Sequence, residues 1–382
     1  MKKYIKCMLI IIYISCFCIK IVQATSTDEV MQNQKDALGI TDFIEESERY
    51  TSEYEDLHIN DILTSAISGN IDNKKLFKIV LKTFGKELGS AVTVLGSIII
   101  IIVINSILNC ITDGLENKSI SKIAYYVQYI LIITIILTNF SSIIEQTKES
   151  VNNMTSFTNM LIPIMMTLII TTGSVTSATI IQPIMVFMTS LIGNFINNIA
   201  IPIILVSTAL GVISKISDKV QIDRLAKRLK SSTIWIIGIM LTLFVTLISV
   251  DGTLSSSVDA VTSKTAKAAV SNLIPVVGKI LGDAVDSVIG CSSILKNAIG
   301  IVGTIIIISI AIGPIIKLAL LMGVYYIGAA VCEPIADGKI VKLLDQMGDT
   351  FKFLLAMICS MAMMIIIGTT LVIKISNSGS IT

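Results

Sequence analysis

The sequence predicts an all-α polytopic membrane protein with about seven transmembrane helices, a re-entrant helical hairpin and an interfacial helical segment. Composition, hydropathy and the spacing of apolar runs lead there. Of 382 residues, 53% are hydrophobic and only 15% are charged, where soluble domains are about a quarter charged. Mean hydropathy is +0.84. Several apolar runs approach the roughly 20 residues that a helix needs to cross a bilayer.

Composition also excludes function classes. A net charge of +2, with no basic groove interleaved with aromatics, argues against nucleic acid as a partner. The single histidine, His58, follows an acidic segment and reads as a solvated residue. One histidine rules out a two-histidine zinc site, and a Ser-His-Asp arrangement would have to be built on this solvated residue. Cys110, Cys291, Cys332 and Cys359 are scattered in or beside apolar runs, so they read as small buried apolar groups rather than a redox pair. No Walker A, GxSxG or HExxH pattern occurs. Neither an enzyme activity nor a cofactor or metal is expected.

Residues 1–24 have a basic start (Lys2, Lys3, Lys6), an apolar middle and Val22-Gln23-Ala24 before a polar change. That is the layout of a signal peptide cut after Ala24. Residues 25–87 are charged and predict a small extracytoplasmic helical module. Leu57, Ile62, Ala66 and Ile67 suggest one short helix ending near Gly69, and Leu76, Ile79, Val80 and Phe84 suggest another leading into the membrane. Glu45 and Arg49 have i,i+4 spacing.

The polytopic domain is expected over residues 88–375, with a short tail at 376–382. Spans are expected at 90–111, 123–144, 196–214, 231–250, 298–316, 317–332 and 353–374. Asn105 and Asn109 share a face of the first and Gln128 sits in the second, which predicts interhelical amide bonds. Residues 158–193 hold two apolar runs around TTGSVTSAT, with Pro163, Gly173 and Pro183. They read as a re-entrant or broken helical hairpin, which lipid tolerates only when protein buries it or it lines a cavity. Gly313-Pro314 and Lys317 suggest a break between the two spans around them.

The loop at 215–230 carries Lys215, Lys219, Arg224, Lys227, Arg228 and Lys230 and is expected in the cytoplasm. Counting from a cleaved leader then puts residues 251–300 outside and the C-terminus inside. That count also leaves Lys74, Lys75, Lys78, Lys82 and Lys86 outside, against the positive-inside preference.

Residues 251–300 are the least lipid-like part of the body, and short interfacial helices are expected there. Val277, Leu281, Val285 and Val288 form an apolar helical stripe that Lys279, Asp283 and Asp286 avoid. Pro275 and Gly278 mark a helix start or bend, and Gly278-x-x-x-Gly282 permits close helix approach. Pro275, Gly278, Asp283, Asp286, Lys296, Asn297 and Gly300 are the candidate assembly or conduit residues.

This stretch resembles the stage III sporulation protein AE family of endospore-forming bacteria. The resemblance rests on TSKTAKAA, Ile274-Pro275-Val276-Val277-Gly278, Asp283-Ala284 and Lys296-Asn297-Ala298-Ile299-Gly300. It extends to RLKSSTIWIIGIMLTLF before the stretch and the apolar runs after it. Ala260 and Gly282 depart from the glycine and serine expected there. The resemblance implies a permease-like, non-catalytic subunit of the membrane complex that joins mother cell and forespore, supporting late forespore transcription. Its implied partners are other membrane proteins, the ATPase of that complex and the lipid bilayer, and its implied location is the mother-cell membrane around the forespore. A stand-alone secondary transporter of a small solute or ion is the competing reading.

Overall fold

The computed structural model describes residues 39–52, 58–69, 73–113, 118–216, 223–273 and 278–378. The leader and Pro275 lie outside them. Every described element is helical: α1 (Ile40–Thr51), α2 (Ile59–Ile67), α3 (Asn73–Asp113), α4 (Lys118–Thr171), α5 (Val175–Phe195), a π segment (Ile196–Ala200), α6 (Ile201–Ile216), α7 (Asp223–Leu273), α8 (Gly278–Cys332) and α9 (Gly338–Ser378).

Among the described residues, six stretches are long and apolar enough to cross a membrane: Phe77–Ile104, Tyr129–Thr171, Val175–Ser214, Arg224–Thr262, Val285–Cys332 and Gly338–Ile375. The fold class is therefore the expected one, with six such helices in place of about seven. The difference lies in α8, which runs unbroken through Pro314 and joins the spans expected at 298–316 and 317–332. At 1.5 Å per residue, α4 and α8 are each about 80 Å long, well over twice a bilayer core of about 30 Å.

Helix α8 is the axis of the bundle. It packs on α9 most extensively, then on α4 and α3, and also touches α7, α1 and α2. Leu295, Ala298, Ile299, Val302, Ile306 and Ile307 are buried along it at helical spacing. Outward faces elsewhere are apolar, as a lipid-facing surface should be: Trp235, Ile239, Leu243 and Leu247 on α7, and Val92, Ile100 and Ile104 on α3, are exposed.

The first two helices lie on this bundle. Ile40, Phe43, Ile44 and Ser47 bury one face of α1, and the rings of Phe43 and Tyr50 meet Phe157 of α4 with centroids 6.0 and 5.6 Å away. Helix α2 buries Ile59 and Leu63 and stops at Ser68–Gly69, where Gly69 takes φ +72°. His58 is exposed, as expected. The Arg49 guanidinium pairs with Glu46 at 3.8 Å, one residue away from the Glu45 partner that spacing suggested.

Proline does not break α8 because a neighbour repairs it. Pro314 has no N–H to donate to the Ile310 carbonyl, and the Ser150 hydroxyl of α4 donates to that carbonyl at 3.3 Å. One turn on, Lys317 Nζ donates to Gln146 Oε1 of α4 at 2.9 Å. A polar cavity of about 260 Å3 opens beside this point, lined in part by Lys82, Glu87, Gln146, Glu149 and Asn153. Pro202 is accommodated differently: the preceding five residues widen into a π turn, closed by the Ile201 N–H on the Ile196 carbonyl. At this level Asn197 Nδ2 donates to Asn152 Oδ1 at 2.6 Å.

At 158–193 the chain does turn back on itself, but the element is not the re-entrant or broken hairpin expected: its arms are the ends of two stretches each long enough to cross a membrane. Both belong to longer helices that keep Pro163 and Pro183 inside them, joined by a tight turn at Thr172–Ser174. The side chains of Asn105, Asn109 and Gln128 lie outside the described residues.

The expected topology is also corrected in one respect. Gly252 packs against Ile375, and Gly300 against Ile373, so the end of α9 lies beside the 251–300 stretch. With one crossing fewer than expected, the C-terminal end and that stretch share one end of the bundle.

The repair at Pro314 makes a prediction. Ser150→Ala should destabilise the protein by about 1 kcal/mol, and Pro314→Ala should remove most of that loss by restoring the helix's own N–H. Unfolding in detergent by chemical denaturant, run as a double-mutant cycle, checks it. Simple additivity of the two changes would show that the Ser150 bond does not answer the proline.

Candidate functional site

The 251–300 stretch forms the facing ends of α7 and α8, with residues 274–277 between them, rather than short helices lying at an interface. Small residues let α7 approach its neighbours there. Gly252 meets Ile375 of α9, and Ser255 is buried, its hydroxyl donating to the Asp251 carbonyl.

One turn further on, Asp259 is 3% exposed. Its two carboxylate oxygens accept the N–H groups of Thr176 and Ser177, each at 2.8 Å. These are among the first N–H groups of α5, which no residue within the helix can pair. The local N-cap residue, Ser174, makes no side-chain capping bond. A carboxylate from α7 therefore caps α5, where the helix dipole favours negative charge.

The turn that delivers α5 to this carboxylate is fixed by its own bonds. The Gly173 N–H donates to the Ile170 carbonyl at 2.9 Å and the Ser174 N–H to the Ile169 carbonyl at 3.2 Å. Gly173 sits at φ +90°, a conformation that side chains resist.

On α8, Lys296 is 1% exposed and Gly300 is buried, with Asn297 half-buried between them. A methyl group added at Gly300 would lie 2.2 Å from Ile373 Cδ1 and 3.4 Å from Met165 Cε. At Gly303, one turn on, an added methyl would lie 2.6 Å from Leu161 Cδ2 of α4. The glycine pair thus sets the spacing of α8 to α9 and α4.

The structure therefore gathers Lys296, Asn297 and Gly300 at the inner side of α8. It leaves Asp286 on the exposed side. Gly278 is the first residue of α8. The Asp283 side chain, like Pro275, lies outside the described residues. Val285 and Val288 of the expected apolar stripe are 50% and 41% exposed, so the visible part of that stripe faces outward. Sequence reasoning missed the capping role of Asp259 and the repair role of Ser150, because each partner is distant in the chain.

Among the described residues, six long apolar helices, the axial α8 among them, define an all-helical, multi-pass membrane protein. Within that class the chain belongs to the stage III sporulation protein AE family, whose description its residues 57–376 match. It is 32% identical over 283 residues to the Stage III sporulation protein AE of Bacillus subtilis (strain 168), covering 74% of this chain and 71% of that protein. No solved structure matches it. Family membership gives this chain a role in sporulation.

The cap yields a test. Asp259→Ala should cost about 1–2 kcal/mol of stability and raise amide hydrogen exchange at Thr176 and Ser177 ahead of the rest of α5. Asp259→Asn keeps an acceptor but not the charge, so its effect should be the smaller one. Unchanged exchange at these two amides in Asp259→Ala would remove the cap from the account.

Proposed function

We propose that this chain is a structural, permease-like subunit of the multi-protein complex that links mother cell and forespore, and that it supports late forespore gene expression. The observation that carries this reading is the family match across 57–376, which takes in nearly the whole bundle. Its role is scaffolding or conduit formation rather than catalysis. Its partners are the other membrane proteins of the complex and its ATPase, and it resides in the mother-cell membrane surrounding the forespore.

The ends of α7 and α8 supply a surface suited to such partners. Leu254, Val258 and Val261 recur at i, i+4 and i+7 on α7 and are 66%, 52% and 67% exposed. Together with Val285 and Val288 they are apolar groups that the single chain does not cover, so an apolar helix of a partner can replace lipid on them. Behind them, the Asp259 cap and the Gly300 contact hold α7 and α8 in fixed register with α5 and α9.

Deletion of the gene in a spore-forming host, scoring growth, engulfment and late forespore transcription separately, tests the reading. Normal growth with a block after engulfment is expected. Normal spores with a solute-uptake defect would overturn it in favour of a stand-alone transporter. At residue level, Val258→Ala with Val285→Ala keeps both positions apolar, so it should leave membrane insertion intact and change stability by no more than about 0.5 kcal/mol, while co-purification of the complex falls. The same co-purification yield from the double variant would exclude this surface from docking.

A further inference from the structure

At the other end of α7, polar side chains collect around a cavity of about 560 Å3 between α6, α7 and α9. Helix α9 lines it with Lys342, Asp345, Asp349 and Lys352, which fall on one helical face. Helix α7 adds Lys227 and Lys230. Four lysines thus meet two aspartates around one space, leaving two positive charges in excess.

The walls are built rather than incidental. Lys230 is 3% exposed, and its Nζ donates to Thr350 Oγ1 at 2.6 Å. The Thr350 hydroxyl donates in turn to the Gln346 carbonyl at 2.9 Å and lies 3.2 Å from the Thr208 hydroxyl of α6. Gln346 Nε2 donates to the Thr208 carbonyl at 3.2 Å. That amide occupies the place a side chain at Gly211 would take, since an added methyl would fall 1.7 Å from it. Asp349 is engaged by the Tyr326 hydroxyl at 2.8 Å.

An ammonium carries three donors. Among the described residues, Lys230 has Thr350 as its hydrogen-bond acceptor, and the Asp349 carboxylate acts on it only from beyond salt-bridge distance. A buried charge so placed is costly unless another group compensates it. The cavity is the size of a small-ligand site. Lysines are point-charge donors well matched to phosphate, and a phosphate group carries about the charge that is in excess here.

We propose that this cavity binds a phosphate-bearing anion, with Lys230 as its buried anchor and Lys227, Lys342 and Lys352 as its rim. An anionic lipid headgroup and a soluble phosphate compound present the same chemistry to these lysines, and experiment separates them.

The full-length protein, purified in neutral detergent, would be titrated with inorganic phosphate by calorimetry. In parallel it would be placed in nanodiscs of phosphatidylglycerol or phosphatidylcholine, and retained lipid counted by native mass spectrometry. Saturable binding is expected, at least tenfold weaker in Lys230→Gln and in the paired rim variant Lys227→Gln/Lys342→Gln, and weaker at higher salt. Retention of phosphatidylglycerol without phosphate binding identifies the lipid headgroup, and saturable phosphate binding identifies a soluble ligand. Binding of neither probe, or binding unchanged in the rim variant, would overturn the proposal. The rim lysines are exposed, so that variant decides the matter even if Lys230→Gln fails to fold.

Discussion

The architecture depends on one constraint: a peptide group buried in an apolar bundle must find a hydrogen bond inside the protein. An unbroken helix meets it along its length but fails at its ends and at prolines. In this chain the failures are answered from neighbouring helices. The first N–H groups of α5 are taken by Asp259 of α7. The carbonyl that Pro314 orphans in α8 is taken by Ser150 of α4. Pro202 is met by a change of helical register in the preceding turn instead. The first two repairs tie a helix to another through a bond with no substitute nearby, so they fix register as well as satisfy polarity.

That constraint explains why α8 can serve as the axis. A helix about 80 Å long with a proline inside it would ordinarily be a candidate for two shorter pieces. Here the side chain that compensates the proline comes from α4, itself packed along α8, and Lys317 adds a second link to Gln146. Once α8 is continuous, α7 and α9 must return along it. The family-specific stretch and the C-terminal end then lie together, as the contacts of Gly252 and Gly300 show.

The divide between what the sequence reveals and what it conceals follows from the same physics. Helical class, membrane character and the polar nature of 251–300 are local properties of composition and period, and they are legible. The expected separation of 298–316 from 317–332 fails because Gly313-Pro314 is a local signal of breakage, whereas the Ser150 hydroxyl that overrides it lies 160 residues before the Ile310 carbonyl it bonds. That single error changed the number of crossings, and with it the expected side of the C-terminus. Within the candidate site, Gly300 is legible as a candidate assembly residue, but its close contact with Ile373 depends on another helix. Asp259 is not marked out by its neighbours, because nothing local identifies a carboxylate as the cap of a helix that starts 84 positions earlier. Lys230 likewise read as a loop charge that sets orientation, since its burial depends on Thr350 of another helix.

The family-specific stretch has two faces that ask for different explanations. Its inner face, with Asp259, Lys296 and Gly300, is specific because helix spacing and capping tolerate few alternatives. Its outer face, with Leu254, Val258, Val261, Val285 and Asp286, has no such internal reason within a single chain. Contact with lipid would account for the apolar character of the four apolar positions, but it asks for no fixed register. An apolar stripe held in register by a rigid inner face is what a docking surface requires, because a rigid surface loses little conformational entropy on association. The inner bonds therefore bear on the proposed assembly directly: loosening the Asp259 cap should weaken docking through register, without any change to the outer face itself.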